Sequence, residues 1–92
     1  DRLNASTRLV SCPYFTTSKI WLDNGMERDY RDLDTFVVLI AIEGEGSLQA
    51  GSFNTGLKKG EVVLIPATTG KILLQPGGEM KILETFVTPE NE

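Results

Sequence analysis

Histidine is absent from this 92-residue chain, and cysteine and tryptophan occur once each. No apolar run approaches the ~20 residues needed to span a bilayer, and no signal-peptide pattern is present. Each absence closes off chemistry. Without an imidazole the chain lacks the usual general base near neutral pH, the usual activator of a serine or cysteine nucleophile, and the commonest zinc ligand. The single cysteine, Cys12, makes no internal disulfide, and a zinc knuckle needs at least two. Its apolar neighbours predict a buried thiol suited to a reducing cytoplasm rather than a nucleophile. Basic residues are scattered from Arg2 to Lys81 without forming a stripe. With 9 basic against 13 acidic residues the net charge is -4, so a phosphate-neutralising face for nucleic acid is not expected. Neither nucleic acid nor membrane is an expected partner.

What remains is an ordinary globular composition, 40% hydrophobic. A chain of this size folds as one domain, 1–92, burying roughly 60–70% of the surface it exposes when unfolded. It begins at Asp1 rather than methionine, so it is expected to be processed or a piece of something longer.

Short strand-type runs dominate. Arg8 to Ser11 and Tyr14 to Leu22 are rich in β-branched and aromatic residues. Asp23-Asn24-Gly25 is the strongest turn signal, because Asn-Gly tolerates positive φ. Glu27 to Asp34 carries six charged residues in eight and reads as a solvated connection. Phe36 to Ile42 is continuously apolar, as in a strand covered on both faces or central in a sandwich. Gly44 to Gly46 turns the chain and Ser47 to Phe53 returns. Asn54-Thr55-Gly56 reads as a turn and Leu57 to Gly60 as a tight connection. Strands are expected again at Glu61 to Ile65, Lys71 to Gln75 and Met80 to Thr88. In the last, Met80, Ile82, Glu84 and Phe86 share one face, with Lys81, Leu83, Thr85 and Val87 on the other. Pro89 to Glu92 reads as a frayed tail. With no sustained helical period and seven or eight short strands, the fold class is all-β, an antiparallel sandwich or barrel.

The strand that opens at Gly60 and closes at Pro66, after five intervening residues, resembles the second signature of the cupin superfamily. The apolar strand running into Glu43-Gly44-Glu45-Gly46 resembles the end of the first. This implies a small jelly-roll barrel. At the family's metal-ligand positions stand Arg31, Leu33 and Val37, or Tyr30, Asp32 and Val37 if one spacing lengthens by a residue. Lys71 takes the place of the third histidine, and Gln75 that of a later asparagine. Apolar and cationic side chains do not make a metal site, so the barrel is expected to be degenerate and metal-free.

A narrower resemblance runs from about Arg8 to Val87. Leu9-Val10-Ser11-Cys12-Pro13-Tyr14-Phe15, Phe36 to Leu48, Lys58 to Ala67 and Leu83-Glu84-Thr85-Phe86-Val87 resemble the C-terminal domain of bacterial type I mannose-6-phosphate isomerases. The resemblance implies a non-catalytic second barrel. Zinc and the catalytic residues would belong to a preceding cupin domain, the expected partner, acting on a sugar phosphate in the cytoplasm. No catalytic, cofactor or metal residue is then expected in this chain, and the chain alone is expected to be inactive. The competing reading is a metal-free cupin that binds a small molecule, as a regulator's sensor domain or a sugar-binding module.

Candidate side chains divide accordingly. Arg28 to Asp32 reads as a phosphate clamp or, more commonly for such a run, as a solvated segment of local ion pairs. Glu43 and Glu45 form a carboxylate pair by sequence, but they flank a glycine turn and are expected in water. Lys71, Gln75 and Arg31 are the barrel-mouth candidates, with a solvated lysine head as the bland reading. Tyr14, Phe15 and Trp21 are expected in the core, unless part of the cluster faces a neighbouring domain.

Overall fold

Alternation of residue type becomes alternation of inward and outward side chains. The computed structural model describes residues 3–11, 15–31, 35–67 and 69–87. Among them run nine strands: β1 Ala5–Ser11, β2 Phe15–Leu22, β3 Met26–Asp29, β4 Val37–Glu43, β5 Glu45–Ala50, β6 Phe53–Lys58, β7 Val62–Ile65, β8 Lys71–Pro76 and β9 Met80–Val87. They form a five-stranded sheet, β1-β2-β9-β4-β7, and a four-stranded sheet, β3-β8-β5-β6. Strand pairing in both is antiparallel. No helix among the described residues is long and apolar enough to cross a membrane.

The sheets share one core. β2 contributes Ile20 and Leu22, β4 Val37, Leu39 and Ala41, and β9 Met80 and Ile82. Leu48, Leu57, Ile72 and Leu74 come from the four-stranded sheet, all at most 1% exposed. Each such side chain contributes about 1.5–3 kcal/mol by leaving water, so the period-two pattern holds both sheets in register.

Two segments read as connections are strands. Met26–Asp29 pairs with β8, Arg28 opposite Ile72. Its charges fit because β3 is an edge strand, with one row of side chains turned to water. Asn54-Thr55-Gly56 lies inside β6, and the turn falls earlier, at Gly51-Ser52 between the paired Ala50 and Phe53. Gly51 supplies the positive φ, 62°, that this turn requires. Asn54 and Gly56 are tolerated because β6 is also an edge strand.

Asp23-Asn24-Gly25 does turn the chain, but from one sheet to the other, without closing a hairpin. Positive φ is not used there; it is found instead at Asn4, φ 61°. The Asn4 Oδ1 accepts the backbone N–H groups of Asp23 at 2.9 Å and Asn24 at 3.2 Å. Its Nδ2 donates to Asp23 Oδ1 at 2.9 Å. The expectations for Cys12, Tyr14, Asp32, Leu33 and the 89–92 tail lie outside the described residues.

Gly44, between β4 and β5, has φ 76°, and a Cβ there would overlap the Glu79 carbonyl oxygen. Gly51 has similar φ but open space around it. Gly44→Ala is therefore expected to cost roughly 2–4 kcal/mol in urea unfolding, against about 1 kcal/mol for Gly51→Ala. Equal losses would show that the Glu79 contact is not limiting.

Candidate functional site

β9 is the middle strand of the five-stranded sheet, and its alternation turns Glu84 inward with Met80 and Ile82. Register places Glu84 between Ser18 of β2 and Leu39 of β4. Only 1% of the residue is exposed. A carboxylate so placed must be met by donors or remain uncharged. The donors cross from the other sheet. Met26, Arg28 and Tyr30 alternate inward along β3 and just past it, while Glu27, Asp29 and Arg31 face water.

Arg28 grips the carboxylate in a two-pronged bond, Nε to Oε2 at 2.9 Å and Nη2 to Oε1 at 2.7 Å. The Tyr30 hydroxyl also donates to Oε2. Burial alone would lower the Arg28 pKa, but the hydrogen bond to Glu84 and its charge outweigh burial and raise it further. Burial, then the Glu84 charge and the bond to it, push the Tyr30 phenol above its ordinary value. The Arg28 side chain keeps 27% exposure, so its outer edge touches solvent.

Both oxygens of this carboxylate are engaged, and a guanidinium lies against it. It is a tie between sheets, unsuited as a general base. Nor does it suit zinc, whose tetrahedral site needs several anionic or imidazole donors. Among the described residues no three Asp, Glu or Cys side chains converge. Val37, at a family ligand position, is a core side chain, and Tyr30, at another, holds Glu84.

The mouth candidates do not come together inside the barrel. β8 turns Ile72 and Leu74 inward, while Lys71 and Gln75 are exposed. Gln75 lies against Gly25, where a Cβ would stand 3.2 Å from its Oε1. Arg31 is exposed and chelates Asp29, Nε to Oδ1 at 2.9 Å and Nη2 to Oδ2 at 2.7 Å. That contact lowers the Asp29 carboxyl to about 2. Over its described residues, Arg28 to Arg31, the run is therefore only half a solvated segment. Asp29 and Arg31 form the expected local pair, but Arg28 and Tyr30 turn inward. Glu43 meets Lys81 at 3.6 Å, and Glu45 is exposed.

The aromatic expectation also needs correction. Phe15 and Trp21 stand on the outward face, where Trp21 Nε1 donates to Glu79 at 2.7 Å and the Lys81 ammonium lies 5.2 Å from the ring centroid. They alternate with the inward Thr16 and Leu22, which take the core side. A cleft of about 500 Å³ opens between the Gly51-Ser52 turn and β7, lined by Ala50, Phe53, Leu64, Ile65, Pro66 and Thr69.

Sequence reasoning missed Glu84, Arg28 and Tyr30 as a unit. The signals were present. An acidic residue at an inward position of an apolar strand demands a cation, and Met26, Arg28 and Tyr30 share one period-two face.

Two facing antiparallel sheets with this interior define a cupin fold. A cupin superfamily protein from Desulfitobacterium hafniense superposes with TM-score 0.77 at 18% identity, over 97% of this chain and 83% of that one. An RmlC-like cupin from Desulfovibrio desulfuricans superposes with TM-score 0.76 at 19% identity, over 92% and 82%. Within the fold, residues 5–87 match the family "Mannose-6-phosphate isomerase, cupin domain", and the chain belongs to it. It is similar to mannose-6-phosphate isomerase ManA of Bacillus subtilis (strain 168), 31% identical over 70 residues. That match takes in 76% of this chain and 22% of the relative's length.

The clamp generates an ordered pair of stability losses. Arg28→Met strands a buried carboxylate and is expected to cost about 3 kcal/mol, whereas Glu84→Gln frees an arginine that reaches solvent and costs about 1–2 kcal/mol. Denaturant unfolding giving the reverse order would contradict the burial asymmetry.

The Tyr30 phenol supplies a pH test. Its folded pKa lies above the unfolded value of about 10, so its contribution is intact below about pH 10 and is lost as pH climbs toward the folded value. In the folded chain, Tyr30→Phe should leave the tyrosinate absorbance measured up to about pH 11 unchanged. A lower absorbance in the variant would show Tyr30 ionising freely in that range.

Proposed function

We propose that this chain is a non-catalytic C-terminal cupin domain of a mannose-6-phosphate isomerase, packed against a catalytic cupin domain of the same polypeptide. In this reading the parent interconverts mannose 6-phosphate and fructose 6-phosphate in the cytoplasm. Zinc and the proton-transferring groups belong to the catalytic domain. The family match over residues 5–87 supplies the context. The observation that carries the non-catalytic role is the state of the interior. The acid at its centre is fully occupied by Arg28 and Tyr30, and large apolar side chains fill the surrounding space.

One observation favours the small-molecule reading, the mainly apolar cleft beside Phe53 with Ser52 and Thr69 as its hydroxyls. The filled interior counts against it, because a cupin ligand would occupy that space.

Metal analysis and a coupled isomerase assay separate the roles. The 92-residue chain is expected to retain well under 0.1 zinc per chain and to show no turnover. The complete reading frame that carries it should have both. Stoichiometric zinc or isomerisation by the 92 residues alone would overturn the reading.

A further inference from the structure

The two outer faces of the sandwich differ in kind. Outside the four-stranded sheet stand Glu27, Asp29, Lys71, Gln75, Gln49 and Asn54, an ordinary solvated surface. Outside the five-stranded sheet, register lines up Leu64 with Val38 and Val62 with Ile40, and Leu83 follows Ile40 on β9. Val62 and Leu64 are each 59% exposed, and Phe36, beside Val38 on the chain, is 43% exposed. β4 is therefore apolar on both faces, but the described residues cover only one of them.

Strand spacing of ~4.8 Å and a two-residue repeat of ~6.8 Å allot ~33 Å² to each outward residue, so the six apolar side chains span on the order of 200 Å². Together with the apolar cleft at its edge the patch enters the few-hundred-Å² range in which exposed apolar patches are often functional. The cleft opens at its edge and shares Leu64 with it, with Phe53 and Ile65 beyond. A flat apolar field with an adjoining hole suits a partner that brings one large apolar side chain to anchor.

Size decides between partners. Stable free dimers bury about 800 Å² per partner, several times this patch. Interfaces between domains of one chain bury as little as about 600 Å² in total, roughly 300 Å² per side, which the apolar field and the adjoining cleft together approach, and tethering supplies a high effective concentration. The chain spans 22% of the length of its Bacillus subtilis relative, so most of that polypeptide lies outside the matched segment. We propose that the outer face of the β7-β4-β9 strands is the docking surface for the catalytic domain of the same polypeptide, with the cleft beside Leu64 taking an apolar anchor. This rests on the function proposed above and adds the face through which it is carried out.

Thiol accessibility tests it. With Cys12 replaced by serine, Leu64→Cys is introduced into the 92-residue chain and into the complete reading frame that carries it; Asn54→Cys, on the polar face, is the control. In the 92-residue chain both thiols should react with a maleimide at rates close to that of a free thiol. In the longer chain Leu64→Cys should slow at least tenfold, and Asn54→Cys should keep its rate. An unchanged rate at Leu64→Cys in a longer chain that binds zinc and isomerises would overturn the docking face and leave the parent function standing. Equal slowing at both positions would overturn the choice of face. Concentration-dependent slowing in the 92-residue chain would assign the face to a second copy instead. A reading frame with no zinc-binding isomerase domain would overturn the parent function, and the docking proposal with it.

Discussion

The rest of the domain is arranged around one buried carboxylate. Glu84 projects from the central strand of one sheet and is bound by two side chains from the edge of the other. Removing a carboxylate and a guanidinium from water costs several kcal/mol per ion. Three converging hydrogen bonds offset much of that, and they fix where β3 lies. β3 is four residues long and pairs only with β8, so its ladder alone holds it weakly. The tie to Glu84 supplies its second attachment.

The same interaction determines what the interior is available for. A cupin barrel becomes a reaction chamber when side chains with free lone pairs point into it. Here the central acid is saturated, its cation lies against it, and Ile72, Leu39 and Val37 fill the space nearby. The polar character of the interior serves cohesion. Unused potential for contact lies outside instead, where no described residue covers the exposed Leu64 and Val62 or the half-buried Val38 and Ile40 beside them. The inside is complete, and one outside face is not.

Much of the architecture was legible because burial imposes a period. The alternation of β9 was read correctly down to Glu84 sharing a face with Met80 and Ile82, and the glycines at Gly44 and Gly60 marked real turns. Errors arose where local composition and tertiary role diverge. Asn54-Thr55-Gly56 has turn chemistry but lies in an edge strand, where ladder pairing with β5 outweighs weak propensity. Asp23-Asn24-Gly25 has hairpin chemistry but joins two sheets, its geometry set by Asn4 nineteen residues earlier. The charged run from Glu27 hid a strand because Glu27, Asp29 and Arg31 face water, while Arg28, together with Tyr30, faces an acid more than fifty residues away.

The all-β class, the strand-and-turn rhythm, the family and the lack of imidazole are written in residue types and local spacing. Tertiary structure decided which charges are buried and with whom. It paired Arg28 and Tyr30 with Glu84, sent Lys71, Gln75 and Arg31 outward, and left one face of β4 uncovered by any described residue. Those outcomes depend on residues far apart in the chain meeting across two sheets. A one-residue shift in register would exchange inside for outside, and only the packed core fixes that register.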